Sequence, residues 1–356
     1  MQTTVDVAVV GGGIIGCATA HAVLRDAPGA SVVVLERDGL GSGATRRSAA
    51  LHLPRGATER VRRMASYSQD HYARLLESEP AVPIHGLPMT VLASESSAED
   101  IDRAYLDSSH LRRVDSVPDP RIKVPTGHVV WQGGACHYAD AHQLTLHLAR
   151  TLCPAASVRE GVRVTDLDLG DDAVVLSLGN GERLRARCAV LAPGPWVASG
   201  PWREYVEPLD IRVKKVVALH LDVRPRDGDH VMVFHDEDAF LLPLHHRGHW
   251  LFSYTCQEWD VEPDAIATDV SADNLREARE VLGRYAPQLV GTAVSGRAFC
   301  DAYSPSREPV VTALDPGSSL VLAGACNGAG YRLAPAIAAE AAGLVRLPNS
   351  AERASA

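Results

Sequence analysis

Val5 to Val10 is a short run rich in β-branched residues, and Gly11-Gly-Gly-Ile-Ile-Gly16 follows it at once. An Ala-rich stretch then runs from Cys17 to about Arg25. The pattern predicts a buried parallel strand, a tight turn and a helix. Ser31 to Leu35 predicts a second buried strand, which ends at Glu36. Gly11, Gly13 and Gly16 have the GxGxxG spacing that lets a backbone turn sharply and approach a pyrophosphate at a helix N-terminus. Glu36 lies 20 residues beyond Gly16, where a carboxylate can accept both ribose hydroxyls of an adenosine. A chain that begins this way is committed to an α/β dinucleotide-binding domain. The acid also disfavours a 2′-phosphate, which puts FAD and NAD ahead of NADP.

The remaining composition narrows the setting. A length of 356 residues allows about two domains. With 46% hydrophobic and 22% charged residues the chain can bury a core. A net charge of −9 gives no electrostatic footprint for a polyanion, so no nucleic-acid partner is expected. Seven widely spaced cysteines without a CxxC pair predict reduced thiols and a cytoplasmic protein, with no structural zinc. The apolar stretch Val5 to Leu24 contains Asp6, three consecutive glycines and His21 and has no basic residues before it. It suits neither a signal peptide nor a membrane span, so no membrane association is expected.

Later segments decide between flavin and nicotinamide. Arg37 to Ala50 is a Gly/Ser/Ala-rich loop that includes Gly43-Ala-Thr-Arg-Arg-Ser48. Cys188 to Trp196 reads as a strand and a tight turn through Leu191-Ala-Pro-Gly-Pro-Trp196. Leu320 to Gly324 reads as a strand, and Asn327 to Gly330 leads through Tyr-Arg-Leu-Ala-Pro335 into a helix from Leu333 to Leu344. In this order the elements resemble the FAD-dependent D-amino-acid oxidase superfamily, in particular glycine oxidase and sarcosine oxidase.

The resemblance implies FAD and an α/β fold (α+β overall). A Rossmann-like flavin domain would gather residues 1–80, 140–200 and 300–346. A substrate domain on a mixed or antiparallel sheet would use 81–139 and 201–299, leaving 347–356 as a tail. The local patterns agree: Ile211 to Asp222 alternates, Val231–Leu242 and Trp250–Tyr254 are strand-like, and Ser271 to Arg284 has helical periodicity behind the cap Ser271.

By the same resemblance the nucleotide half of FAD falls to Gly11, Gly13, Ile14, Ile15 and Gly16 with Glu36 and Arg37. Thr45, Arg46, Arg47 and Ser48 line the isoalloxazine and ribityl chain, where an Arg would stabilise negative charge on the reduced ring. Val164, Ala192, Gly194 and Trp196 add cofactor contacts, as do Gly328, Gly330, Tyr331, Arg332 and Leu333.

Arg332 is also the first choice for a catalytic and substrate-binding role, since a guanidinium in a cleft binds a carboxylate in bidentate fashion. Phe240 and Leu242, with Trp250, Phe252 and Tyr254, are expected to wall the substrate cavity, with Tyr254 as a catalytic contact. His245, His246 and His249 occupy a turn, and no metal is expected. Asp301 falls where relatives carry a carboxylate-clamping arginine, unless the alignment slips and Arg297 or Arg307 compensates. An acid there favours a cationic or hydroxylated substrate. Cys300 lies within one residue of the site of covalent flavin attachment in sarcosine oxidases, so the FAD is expected to be non-covalent with a Cys300 link as the alternative. No lysine stands near Trp250, where such relatives carry one that promotes oxygen reduction.

The expected reaction is FAD-dependent oxidation of a C–N bond in an amine or N-substituted amino acid, a specialised substrate of the secondary-metabolism kind. Hydride passes to flavin N5, the imine hydrolyses, and O2 is reduced to H2O2. The alternatives are oxidation of a 2-hydroxy acid, a dehydrogenase without O2, and a non-catalytic FAD-binding module.

Overall fold

The computed structural model describes residues 2–347 except 154, 171 and 172. The tail expected from Asn349 lies outside the described residues. Among them no helix is long and apolar enough to cross a membrane, and all seven cysteines are free.

The opening strand, Gln2–Val10, lies inside an eight-stranded sheet. It pairs in parallel with Val32–Leu35 on one side and Arg183–Leu191 on the other. Ala156–Arg159 extends the sheet beyond Val32–Leu35, and Leu320–Gly324 extends it beyond Arg183–Leu191, both in parallel. Such strands are covered on both faces, which explains why all four residues of Val32–Leu35 are buried. The first helix, Ile14–Asp26, returns over the sheet. Its approach demands glycine at position 16, where a Cβ would stand 1.9 Å from the Gly11 carbonyl oxygen.

The last helix, Gly330–Leu344, packs beside the first through Leu333, Ile337 and Ala341. It contains Pro335, which has no N–H to offer the carbonyl of Tyr331 one turn earlier. The helix Glu59–Ser78 repairs this defect: the Tyr72 hydroxyl donates to the Tyr331 carbonyl at 2.7 Å.

The second sheet has nine strands in the order Ala293–Tyr303, Arg212–Leu221, His249–Tyr254, Ala239–Leu244, Val231–Phe234, Ile84–Ser94, His128–Ala139 and Leu51–His52, with Arg112–Val114 beside His128–Ala139. It is mixed, because Val231–Phe234 runs parallel to Ile84–Ser94 while the other pairings are antiparallel. The helix Ala272–Tyr285 covers one face, capped by Ser271, whose hydroxyl accepts the Asn274 N–H at 3.2 Å.

Two sequence expectations need correction here. Val231–Leu242 is not one strand but two, divided by the turn His235–Glu237 and by Asp238 in a left-handed conformation (φ 46°). The five hairpin side chains do not share a wall either. Phe240 pairs with Ser253 and Leu242 with Leu251, so these four point to one face. Trp250, Phe252 and Tyr254 point to the other and pack with Ala278, Leu282 and Tyr285 of the covering helix.

Candidate active site

A cavity of about 870 Å³ is lined by residues of both sheets. Its size is at the upper end of small-molecule sites, roughly 300–1,000 Å³. One end is bordered by Gly11, Gly13, Glu36 and Arg37, the other by Arg55, Phe240 and Arg332.

At the first end, Glu36 Oε2 accepts the Gly12 N–H at 2.7 Å and Oε1 the Asp38 N–H at 2.9 Å. Lone pairs remain on the carboxylate for ribose hydroxyls. The helix Ile14–Asp26 starts here with no cap from Gly13, no acidic residue in its first turn, and its Ile14 N–H donated to Thr45 Oγ1 at 3.2 Å, so the positive end of its dipole serves the cavity. Arg37 lies over the Trp196 ring, 4.2 Å from its centroid. Asp264 accepts two bonds from Arg37 at 3.0 Å each and one from Trp196 Nε1 at 2.8 Å. Burial opposes ionisation of Asp264, but these donors outweigh it and hold the carboxyl below its ordinary value. Asp264 belongs to the segment joining His249–Tyr254 to Ala272–Tyr285. That segment therefore crosses from the second sheet to fasten the cavity's nucleotide end.

In the middle of the cavity the loop of Thr45, Arg47 and Ser48 forms the wall. Arg297 donates to the carbonyls of Arg47 at 2.6 Å and Ser48 at 3.2 Å, tying this loop to the strand Ala293–Tyr303. Arg46 is exposed and does not line the cavity. Asp301 lines it, with Oδ1 accepting the Ala302 N–H at 2.9 Å and Oδ2 the Gly328 N–H at 3.0 Å. Burial pushes the Asp301 carboxyl up to about 6. Asp301 braces the glycine turn that launches the last helix.

Val164, Ala192, Gly194, Ile14, Ile15, Gly330 and Tyr331 all border the cavity. Gly16 and Leu333 do not. Gly16 serves the helix–strand contact, and Leu333 is wholly buried in the core. Cys300 is also off the lining, because Phe299 and Asp301 beside it supply the cavity face of the strand. Burial pushes its thiol up to about 11. Neither Arg297, committed to the loop, nor the exposed Arg307 stands in for a clamping arginine.

The guanidinium that does reach the cavity alongside Arg332 is Arg55, which sequence reasoning missed. It follows the short strand Leu51–His52, and no local motif marks it. Arg332, in the first turn of the last helix, has an Nε without a hydrogen-bond partner. Burial, aided by the nearby Arg55 charge, pushes its guanidinium down to about 10. Lys214, Asp238, His235 and Ser253 complete this end with Phe240, Val233 and Ala218. Tyr254 borders the cavity, but its hydroxyl donates to Glu277 of the covering helix at 3.1 Å. Among the described residues no group of three or more His, Cys, Asp or Glu is arranged to hold a metal.

A family model described as FAD dependent oxidoreductase matches residues 6–344. The chain belongs to the FAD-dependent oxidoreductase family. Its fold is similar to glycine oxidase from Geobacillus kaustophilus, with a TM-score of 0.80 and 20% identity over 97% of this chain and 95% of that one. L-proline dehydrogenase from P. horikoshii gives 0.83 at 17% identity, covering 97% and 94%. NikD, an unusual amino acid oxidase essential for nikkomycin biosynthesis, gives 0.78 at 18%, covering 99% and 97%. A search of curated protein sequences found no match. The site suits the cofactor of its family: a helix start free of acidic residues for a pyrophosphate, Glu36 for a ribose, and a cavity continuing to Arg332.

Proposed function

We propose that this flavoprotein oxidises the C–N bond of an amino acid or N-substituted amino acid whose carboxylate is held by Arg55 and Arg332. The observation that carries this reading is the pair of guanidiniums at one buried end of the cavity, with no described carboxylate within 4.0 Å of either. Two like charges in a poorly solvated site repel each other, and an anion between them relieves both. Arg332 has the further disadvantage of lying at the positive end of its own helix, which a bound carboxylate also offsets.

Bound FAD would accept the hydride equivalent that leaves the substrate α-carbon. Gly11, Gly13, Glu36, Arg37, Thr45, Arg47, Trp196 and Gly328 are the residues that would hold it. Arg55 and Arg332 fix the carboxylate and so the position of the α-carbon. Phe240, Val233 and Ala218 keep water from the substrate. The resulting imine hydrolyses to a carbonyl compound and an amine, and O2 takes the electrons and leaves as H2O2. The free thiols fit a cytoplasmic enzyme.

The test is peroxide formation with N-alkylglycines and D-amino acids, run against the same amines lacking the carboxylate. Turnover confined to the carboxylate-bearing members is expected. Equal turnover of the decarboxylated amines would remove Arg55 and Arg332 from substrate binding.

A further inference from the structure

Asp238 is a carboxylate for which that reading has no task. It ends the turn His235–Glu237 in a left-handed conformation and lines the cavity. Its place is held from a second element: the Thr255 hydroxyl donates to Asp238 Oδ2 at 2.8 Å and approaches its carbonyl oxygen at 3.0 Å. Among the cations that line the same cavity, the Asp238 charge acts favourably on Arg55, Arg332 and Lys214. None of them comes within 4.0 Å of an Asp238 oxygen. A carboxylate within the field of three cations but in contact with none leaves room for a ligand atom between them.

The groups around Asp238 also show which end of a ligand belongs there. Arg55 and Arg332 are without carboxylate partners and take the anionic end. Asp301, another acid of the cavity, already accepts backbone N–H groups on both oxygens. Asp238 accepts one side-chain hydroxyl and has lone pairs to spare. An α-amino acid carries its cationic nitrogen one carbon from its carboxylate, and a site with guanidiniums beside a separate carboxylate matches that dipole.

We propose that Asp238 is the recognition residue for the substrate's α-ammonium group, and that it makes this cavity select amino acids over 2-hydroxy acids. The inference rests on the carboxylate reading above and adds the second half of the recognition. A 2-hydroxy acid would satisfy Arg55 and Arg332 equally well but offers Asp238 only a neutral hydroxyl. Charge-assisted hydrogen bonds are roughly twice as strong as neutral ones.

The test uses two ligands of nearly the same shape, 2-aminoisobutyrate and 2-hydroxyisobutyrate. Both present a carboxylate, one has an ammonium where the other has a hydroxyl, and neither carries an α-hydrogen to be transferred. Binding to the FAD-loaded protein is read from perturbation of the flavin absorption spectrum, with no turnover needed. Wild type is expected to prefer the ammonium ligand by about tenfold. Asp238→Asn is expected to abolish the preference while leaving affinity for the hydroxy ligand within about twofold. Thr255→Val, which removes the hydroxyl that orients the carboxylate, should reduce the preference part-way and serves as the second variant if Asp238→Asn does not fold.

A wild type without preference, an Asn variant that keeps it, or a variant that loses both ligands alike overturns the assignment. Binding of the hydroxy ligand alone overturns Asp238 and leaves the carboxylate reading standing. Binding of neither ligand to wild type overturns both.

Discussion

Asp264 accepts two hydrogen bonds from Arg37, each 3.0 Å long, across 227 residues of chain. This contact brings a segment that lies between two strands of the second sheet onto the nucleotide end of the first. Removing it as Asp264→Ala frees Arg37 and Trp196 together. The pair is partly solvated, so about 1 kcal/mol is expected, a roughly fivefold weaker affinity for FAD. Quenching of flavin fluorescence on titration of the apoprotein measures it. An unchanged affinity would show that the segment does not help retain the cofactor.

Arg55 is expected to matter as much as Arg332. Arg55→Met should raise KM for a carboxylate-bearing substrate by about 30- to 150-fold, the effect of losing about 2–3 kcal/mol of charge-assisted hydrogen bonding. Steady-state kinetics with matched substrate concentrations checks this. A change in kcat alone would place Arg55 in a different role.

Burial raises the Asp301 carboxyl from 3.8 to about 6, so the folded state holds this proton more tightly than the unfolded chain does. The sign follows from linkage: the contribution is complete below about pH 4 and is lost as pH rises toward and through about 6. The full difference is on the order of 3 kcal/mol. Asp301→Asn, which keeps one oxygen acceptor for the Gly328 N–H, should flatten stability over that window. Urea denaturation of both proteins at about pH 4 and about pH 7 gives the comparison. Equal slopes would mean that Asp301 titrates normally.

Tyr72 and Pro335 form a testable pair. Tyr72→Phe leaves the buried Tyr331 carbonyl without its donor and should cost about 1–2 kcal/mol. In a Pro335→Ala background the helix supplies its own N–H, and the same substitution should cost much less. A double-mutant cycle by chemical denaturation reads the coupling. Additive effects would contradict the repair.

The sequence made the nucleotide half of the site legible because its signals are local. Strand, glycine turn, helix, strand and terminal acid occupy a single stretch up to Glu36, and Leu320–Gly324 is bounded by its own turn residues. The substrate end was less legible. Arg55 reaches the cavity because Leu51–His52 joins the second sheet beside His137 and Tyr138, a long-range pairing with no local mark. Alternation showed that Trp250, Phe252 and Tyr254 share a face. It did not say which face a helix would cover. Asp238 was read through as part of a continuous strand, because apolar residues flank the turn on both sides.

The most direct measurement of the central claim is the visible spectrum of the purified protein under anaerobic titration with glycine, N-alkylglycines, D-amino acids and 2-hydroxy acids. The account predicts flavin bands that bleach with a carboxylate-bearing amine, stay unbleached with the 2-hydroxy acids, and return with peroxide when air is admitted. Bleaching by 2-hydroxy acids alone, or a protein that takes up no flavin when FAD is added, would contradict it.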